Sequence, residues 1–361
     1  MKWGGIPLKN LFKILILLTI VVVLGLMVQL FYQNGEKETR NSTKIELNKE
    51  LKVSTNEKLL NENPRPSKGI SIYIGKSVND FVEKYGEPSR KDLSYYGYDI
   101  WVYPDEEKYM LVGVENDTVV TISVIGFKID TYPFKIGGNL ESVYKKYSIQ
   151  TEVSVENENG VYKFELQEND INARPLIKLG EVYAQLFFDS FDGNLMFIRF
   201  SDGNTLVKLH PYDMTYLGEL YETELSDEEW ILADLASEQQ IFELTNIIRK
   251  KHSLSSLTWD TKTADVAYFH SKDMYETNTF SHDSEKYGSL ADRLEAKEVF
   301  YEAAGENIAS NYTDSIAVVA GWLNSKGHRE TFLSDEFTHI GVGVYKKYYT
   351  QNFLRRTWGD N

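Results

Sequence analysis

Phe280-Ser281-His282, Gly305-Glu306-Asn307-Ile308-Ala309, Gly327-His328-Arg329 and Thr338-His339-Ile340-Gly341-Val342-Gly343-Val344 punctuate one stretch, Phe280 to Val344. Two histidines, His282 and His328, and one acid, Glu306, stand at the ends of separate apolar segments. A fold gathers such dispersed polar residues into a single cleft when the intervening elements pack. Around them the apolar spacing is helical and then strand-like. Ser237-Glu238-Gln239-Gln240 reads as a capping box, and Ile241, Leu244, Ile247 and Ile248 keep helical spacing behind it. Ala264, Ala267, Phe269, His270 and Met274 lie on or near one face of a second helix. Ala291 to Lys297 and Asp314 to Trp322 give two more, and Ile340 to Tyr349 and Thr350 to Leu354 read as strands. This alternation predicts a C-terminal α/β/α sandwich over residues 237–361.

Upstream, residues 213–236 form an acidic connector with aromatic anchors at Tyr216, Tyr221 and Trp230. Residues 69–212 carry an internal repeat at a constant offset of 62 residues: Ile74-Gly75 recurs as Ile136-Gly137, and Lys84-Tyr85 as Lys146-Tyr147. Each copy opens on a short helix, N-capped by Ser77 or Asn139, and continues into β-rich runs from Ile100 to Ile125 and from Gly160 to Phe200. Asn116-Asp117 and Asp192-Gly193 read as hairpin turns. Two helix-plus-meander units predict an α+β repeat domain. Tyr95, Tyr96, Tyr98 and Tyr103 read as strand-face packing.

Residues 33–68 are polar and free of aromatics, and contain Pro64-Arg65-Pro66, which reads as a linker. Before them, residues 14–32 form an apolar run preceded by Lys2, Lys9 and Lys13. Its core, Ile14 to Phe31, would be roughly 27 Å long as a helix, close to a hydrocarbon core of ~30 Å. The expectation is a single-pass signal anchor in the cell membrane, with residues 1–13 cytoplasmic and the later domains extracytoplasmic. A cleaved signal peptide is the competing reading, but no small-residue cleavage site follows the run.

The net charge of −15 argues against nucleic acid, whose binders present a basic face. The absence of cysteine excludes disulfides, thiolate metal sites and cysteine nucleophiles.

The four motifs of the opening stretch, with Phe242-Glu243-Leu244-Thr245-Asn246 and Gly321-Trp322-Leu323-Asn324-Ser325, resemble in order and spacing the bacterial branch of the CAP superfamily. That superfamily unites cysteine-rich secretory, antigen-five and plant pathogenesis-related proteins. The repeat region resembles the CAP-associated N-terminal domain, and the layout resembles membrane-anchored members. The resemblance implies a cleft lined by two histidines and acidic residues that in several members takes a divalent metal. Carried over, the histidines are His282 and His328 and the acid is Glu306, with Ser325 where many members place a second acid.

The expected cleft is therefore His282, Glu306, Asn307, Ser325 and His328, with His282, His328 and Glu306 as ligands for zinc, magnesium or calcium if a metal is used. His270 and His339 read as packing residues, and Arg329 and Asn307 as braces of the cleft loops. The leading functional expectation is non-enzymatic capture of a cell-envelope ligand or protein. A metal-dependent hydrolase acting on peptide or wall material, with Glu306 as ligand or general base, is the alternative. A protein-interaction or regulatory module is the third reading. No HExxH helix or Gly-x-Ser-x-Gly elbow is present. A serine hydrolase of Ser281 or Ser325 with His328 and Glu306 has support in composition only.

Overall fold

A computed structural model of the chain describes residues 36–45, 63–221 and 223–356. The expected membrane anchor over 14–32 lies outside the described residues, as does most of the linker. No helix among the described residues is long and apolar enough to cross a membrane.

The structure opens with two short strands, β1 (Glu36–Lys37) and β2 (Ser42–Lys44). The repeat domain follows. Its first unit is α1 (Val78–Tyr85), then β3 (Arg90–Leu93), β4 (Asp99–Tyr103), β5 (Met110–Glu115) and β6 (Thr118–Val124). Its second is α2 (Leu140–Lys146), β7 (Glu152–Asn157), β8 (Gly160–Glu165), α3 (Glu168–Ala173), β9 (Leu176–Leu179), β10 (Val182–Phe188) and β11 (Leu195–Ser201). The units are built alike at their openings. Gly75 and Gly137 both adopt φ +79°, a left-handed conformation that favours glycine. Their N–H groups donate to Val119 O and Leu195 O, each at 2.8 Å. Ser77 and Asn139 cap the two helices through their side chains, as the sequence predicts. Asn116 and Asp117 both turn to positive φ between β5 and β6, the geometry of a tight hairpin.

The units join edge to edge in one seven-stranded sheet, ordered β3-β4-β5-β6-β11-β10-β9, in which β6 and β11 pair antiparallel across the junction. One face is covered by the paired helices around Phe81 and Val143. The other is not left to water: Val102, Tyr109, Leu111, Phe187 and Phe197 enter the core of the following domain. A smaller sheet, β2-β12-β8-β7, completes the region with α4 (Gly203–Leu209) and β12 (Asp213–Gly218).

The C-terminal domain contains α5 (Asp227–Lys251), β13 (Thr258–Trp259), α6 (Thr261–Thr277), α7 (Leu290–Ala296), β14 (Ala303–Ser310), α8 (Ser315–Asn324), α9 (Lys326–Phe332), β15 (His339–Tyr345) and β16 (Tyr348–Arg355). Strands β14, β16 and β15 form an antiparallel centre, edged by β1 and β13. Ile340, Val342, Val344 and Phe353 face α5 and α8. Leu354 faces Val266 of α6 and Leu294 of α7. Helices therefore cover both faces, and the predicted three-layer sandwich is present.

Three local expectations change. The 213–236 stretch is built into the fold: β12 pairs with β8, and residues 227–236 are the first turns of α5. The helix starts at the capping box of Ser226 and Glu229, eleven residues before the predicted one. Ser237 and Glu238 are instead buried in mid-helix, where Glu238 Oε1 accepts the Val344 N–H at 2.9 Å. A polar pair whose acid satisfies a neighbouring strand thus imitates a helix start.

The second change concerns the linker, whose residues 36–45 form a strap. β1 pairs parallel with β14 of the C-terminal sheet, and β2 pairs parallel with β12 of the small sheet. Between them Arg40 donates to both His210 O and Asn311 O, one from each domain. Third, the tyrosines of 95–98 pack between domains rather than within a strand face: Tyr95 Oη donates to Asp234 at 2.8 Å, and Tyr96 Oη to Thr313 O at 2.9 Å.

Candidate functional site

Strand β14 organises the cleft because successive side chains on a strand point to opposite faces. Glu306 points to the layer of α6 and α7, and Asn307 to the layer of α8 and α9. The Glu306 side chain is only 4% exposed. Its Oε1 meets His282 Nδ1 at 2.9 Å, and its Oε2 accepts from Arg293 Nη2 at 2.6 Å. His270 of α6 lies behind the same carboxylate, with Nε2 3.8 Å from Oε1. Burial alone would raise the Glu306 carboxyl. His270, the His282 hydrogen bond and the Arg293 guanidinium outweigh it and hold the group at about 2. Burial lowers His270 as well, so Arg293, a permanent cation, is the partner that keeps Glu306 ionised at neutral pH. Arg293 also donates to His282 O and Gly288 O, which fixes the loop that carries His282.

The other half of the cleft comes from the α8–α9 junction. Ser325 Oγ lies 2.9 Å from His328 Nδ1. Asn307 Nδ2 donates to the His328 carbonyl at 3.2 Å. Burial, and then the charge of His282 when protonated, push the His328 imidazole down to about 4, so it is neutral at physiological pH. The junction is also tied to the repeat domain. Asn324 accepts from Ser190 N at 2.8 Å and donates to Phe188 O at 2.9 Å. Arg329 donates to Asp189 at 2.8 Å and lies over the Phe191 ring. Arg329 also donates to Leu323 O at 3.0 Å, so it braces the cleft junction as predicted and in addition ties it to the other domain.

The predicted residues thus come together in two groups. His282 and Glu306 pair directly, and Ser325 pairs with His328. Asn307 is fully buried and supports the backbone under His328. Ser281 Oγ accepts the Asp283 N–H in a local turn, and His339 Nδ1 is held by Thr338 at 2.8 Å. Arg293 was not predicted; its signal is a charge at helical spacing with Leu290 and Leu294 on a face that packs inward. His270 was predicted to be a packing residue with satisfied polar atoms. It is buried, but among the described residues neither ring nitrogen has a hydrogen-bond partner.

A metal would need carboxylate lone pairs and imidazole nitrogens converging on one point. Both Glu306 oxygens are taken by His282 and Arg293. Among the described residues no group of three or more His, Asp or Glu side chains is placed to hold an ion. The residues present do not fit the expected three-ligand site. A Ser-His-Glu triad is not formed either, since Glu306 orients His282 rather than His328.

Acidification reads out the His328 environment. The unfolded imidazole takes up its proton near 6.5 and the native one only near 4. Its stabilising contribution is therefore complete above pH 6.5 and is lost as pH falls to about 4. Glu238 and Asp234, raised by burial to about 7 and about 6, shift stability in the opposite sense over this range. The expected result is thus differential: denaturant titrations should show wild type losing stability relative to His328→Gln between pH 6.5 and 4. A constant difference would mean that the imidazole is solvated.

Comparison with known proteins follows the same division of the chain. Residues 74–212 match the CAP-associated N-terminal family, and residues 242–357 match the cysteine-rich secretory protein family, CAP. An uncharacterised membrane protein of Bacillus subtilis, YlbC, is 45% identical over 354 residues, covering 97% of this chain and 100% of that protein. The crystal structure of an extracellular SCP-domain protein from Bacillus anthracis is 42% identical, with a TM-score of 0.77, covering 83% of this chain and 99% of its own. That of a cysteine-rich secretory protein from Staphylococcus aureus is 26% identical, with a TM-score of 0.72, covering 82% and 95%. The two-layered helical cover, the β14 cleft and these matches agree, and the chain belongs to the CAP family, in the group whose CAP domain follows a CAP-associated N-terminal domain.

Proposed function

We propose that the chain is a membrane-anchored protein that presents its CAP cleft outside the membrane and captures a cell-envelope ligand there without turnover and without a metal. The observation that carries this reading is the engagement of Glu306. A general base needs a carboxylate free to take a proton near neutral pH, and Glu306 is buried, held by Arg293 and His282, and lowered to about 2. What the cleft offers a ligand is hydrogen bonding from Ser325 with the neutral His328, and from the partly exposed His282 ring. The extracytoplasmic placement is supported by the lysine-flanked apolar segment and by the relative described as a membrane protein.

The test has two arms. Calorimetric titration of the full-length protein in detergent with zinc, magnesium and calcium should give no one-equivalent site that disappears in both His282→Ala and His328→Ala. Saturable binding lost in both would restore the metal reading and overturn this one. In the second arm, wild type should co-sediment with purified bacterial envelope fragments and His328→Ala should not. Equal sedimentation of the two would remove the cleft from ligand capture.

A further inference from the structure

The histidine cleft has one wall that no side chain supplies, the outer edge of β14. Glu38 N donates to Ser310 O at 3.1 Å, so the main chain of Ser310 faces outward, toward β1. Main-chain groups alternate from side to side along a regular ladder, and β14 pairs with β16 without a break from Ala303 to Ser310. Ile308, Glu306 and Ala304 therefore also turn their main-chain groups outward. Ile308 O is met by Trp322 Nε1 at 3.2 Å. Among the described residues, β1 covers Ala309 and Ser310 of this edge, and the N–H and C=O of Ala304 and of Glu306 have no hydrogen-bond partner.

These groups are open to a ligand rather than covered. The Glu306 side chain is only 4% exposed, yet the residue as a whole is partly exposed, so the remainder belongs to its main chain. Ala304 and Gly305 are partly exposed as well. The two halves of the cleft lie on opposite faces of β14, His282 with Glu306 on one and His328 over Asn307 on the other. β16 closes the inner edge of β14, so the halves meet round the outer one. Paired donors and acceptors that recur every ~6.7 Å match the main chain of an extended polypeptide, and a free strand edge is a template for one. The molecule contains the precedent: β1 is an extended segment lying in parallel on the same edge, at the C-terminal end of β14.

On the reading that the cleft captures a ligand, we propose that this ligand is an extended segment of a partner polypeptide, which adds as a strand to β14 beside Ala304 and Glu306 in line with β1. The outward N–H and C=O groups of the two residues hold the segment whatever its sequence. Successive side chains of an added strand turn to opposite faces, one toward His282 and the next toward Ser325 and His328, and these contacts select the sequence. Glu306 then has two separate tasks. Its carboxylate holds Arg293 and His282, and its peptide groups receive the ligand.

The probe is a heptapeptide selected from a random display library on the full-length protein in detergent. The tightest binder is resynthesised with an N-methyl group on each backbone amide in turn, and affinity is read by fluorescence anisotropy. N-methylation should weaken binding at least about tenfold at alternate amides and less than about twofold at those between them. Ala304→Pro removes an outward N–H while leaving the β16 ladder intact, and should weaken the peptide at least about tenfold. Thermal unfolding checks the fold of that variant, and the N-methyl scan needs no variant at all. Failure to select a binder, or a scan without alternation, overturns strand addition. Envelope fragments that still co-sediment with wild type in either case leave cleft capture standing, whereas their loss removes both readings. Peptide binding that appears only in Asn34→Pro makes the chain's own residues before β1 the occupant, and self-association abolished by Ala304→Pro makes it a second copy. Either result overturns the assignment to a partner.

Discussion

Arg293→Ala is expected to destabilise the C-terminal domain by about 3–5 kcal/mol, the usual effect of stripping the partner from a buried charge. Its side chain and that of Glu306 are 5% and 4% exposed, so little solvent can replace the guanidinium. The same change frees the His282 and Gly288 carbonyls and loosens the His282 loop. The deficit should depend on pH in a fixed direction. Native Glu306 titrates at about 2 and the unfolded carboxyl near 4.5, so the stabilisation is complete above pH 4.5 and disappears as pH falls to about 2. The gap between wild type and variant, measured by denaturant unfolding, should be widest above pH 4.5 and close in acid. The double variant Arg293→Met, Glu306→Gln should recover part of the loss, because no uncompensated charge remains. A single-variant deficit below about 1 kcal/mol, the scale of exposed pairs, would mean that Glu306 reaches water.

Gly343→Ala is expected to be as severe, at about 3 kcal/mol, for a reason unrelated to charge. Helix α6 lies directly on β15, and a Cβ at 343 would overlap the Tyr268 amide and the Ala267 backbone. One at 341 would overlap the backbone of Thr263 and Ala264. Relief requires the whole helix to lift from the sheet, moving His270 away from Glu306. The same substitution at Gly327 in α9 meets nothing within 4 Å and should stabilise by about 0.5–1 kcal/mol, through helix propensity and reduced unfolded-state freedom. Thermal unfolding of the two alanine variants should move in opposite directions. A shift of less than about 1 °C in Gly343→Ala would show that the helix yields easily, contrary to the packing argument.

The arrangement also gives the repeat domain a physical role. Asn324 and Arg329, which flank Ser325 and His328, are held by Phe188 at the end of β10 and by Asp189 and Ser190 in the turn after it. Half of the cleft is therefore positioned from outside its own domain, while the Glu306 half is held entirely within it. A CAP domain cut off at its start would keep the carboxylate network and lose the support beneath His328.

Sequence alone determined the parts of this protein that depend on neighbours along the chain. Apolar spacing placed α7 and α8 to within two residues, but it began α5 eleven residues late and did not mark β14 or α9. Ser77 and Asn139 announced their caps, because a cap bonds an amide two residues away. The 62-residue repeat announced two like units, and the separated His, Glu and Ser motifs announced a cleft and its family. Tertiary structure alone decided what depends on pairs far apart. Glu306 could be read as general base or metal ligand until Arg293 and His282 were seen to occupy both of its oxygens. Ser237-Glu238 copied the local signature of a helix start, and only the bond from the Val344 N–H to Glu238 shows why that acid is buried in mid-helix. The strap gave no sequence signal, because its few paired residues gain their strand geometry from β14 and β12 rather than from their own composition. Local chemistry is written in consecutive residues, whereas the partner that satisfies a buried charge or a lone strand edge is chosen by packing.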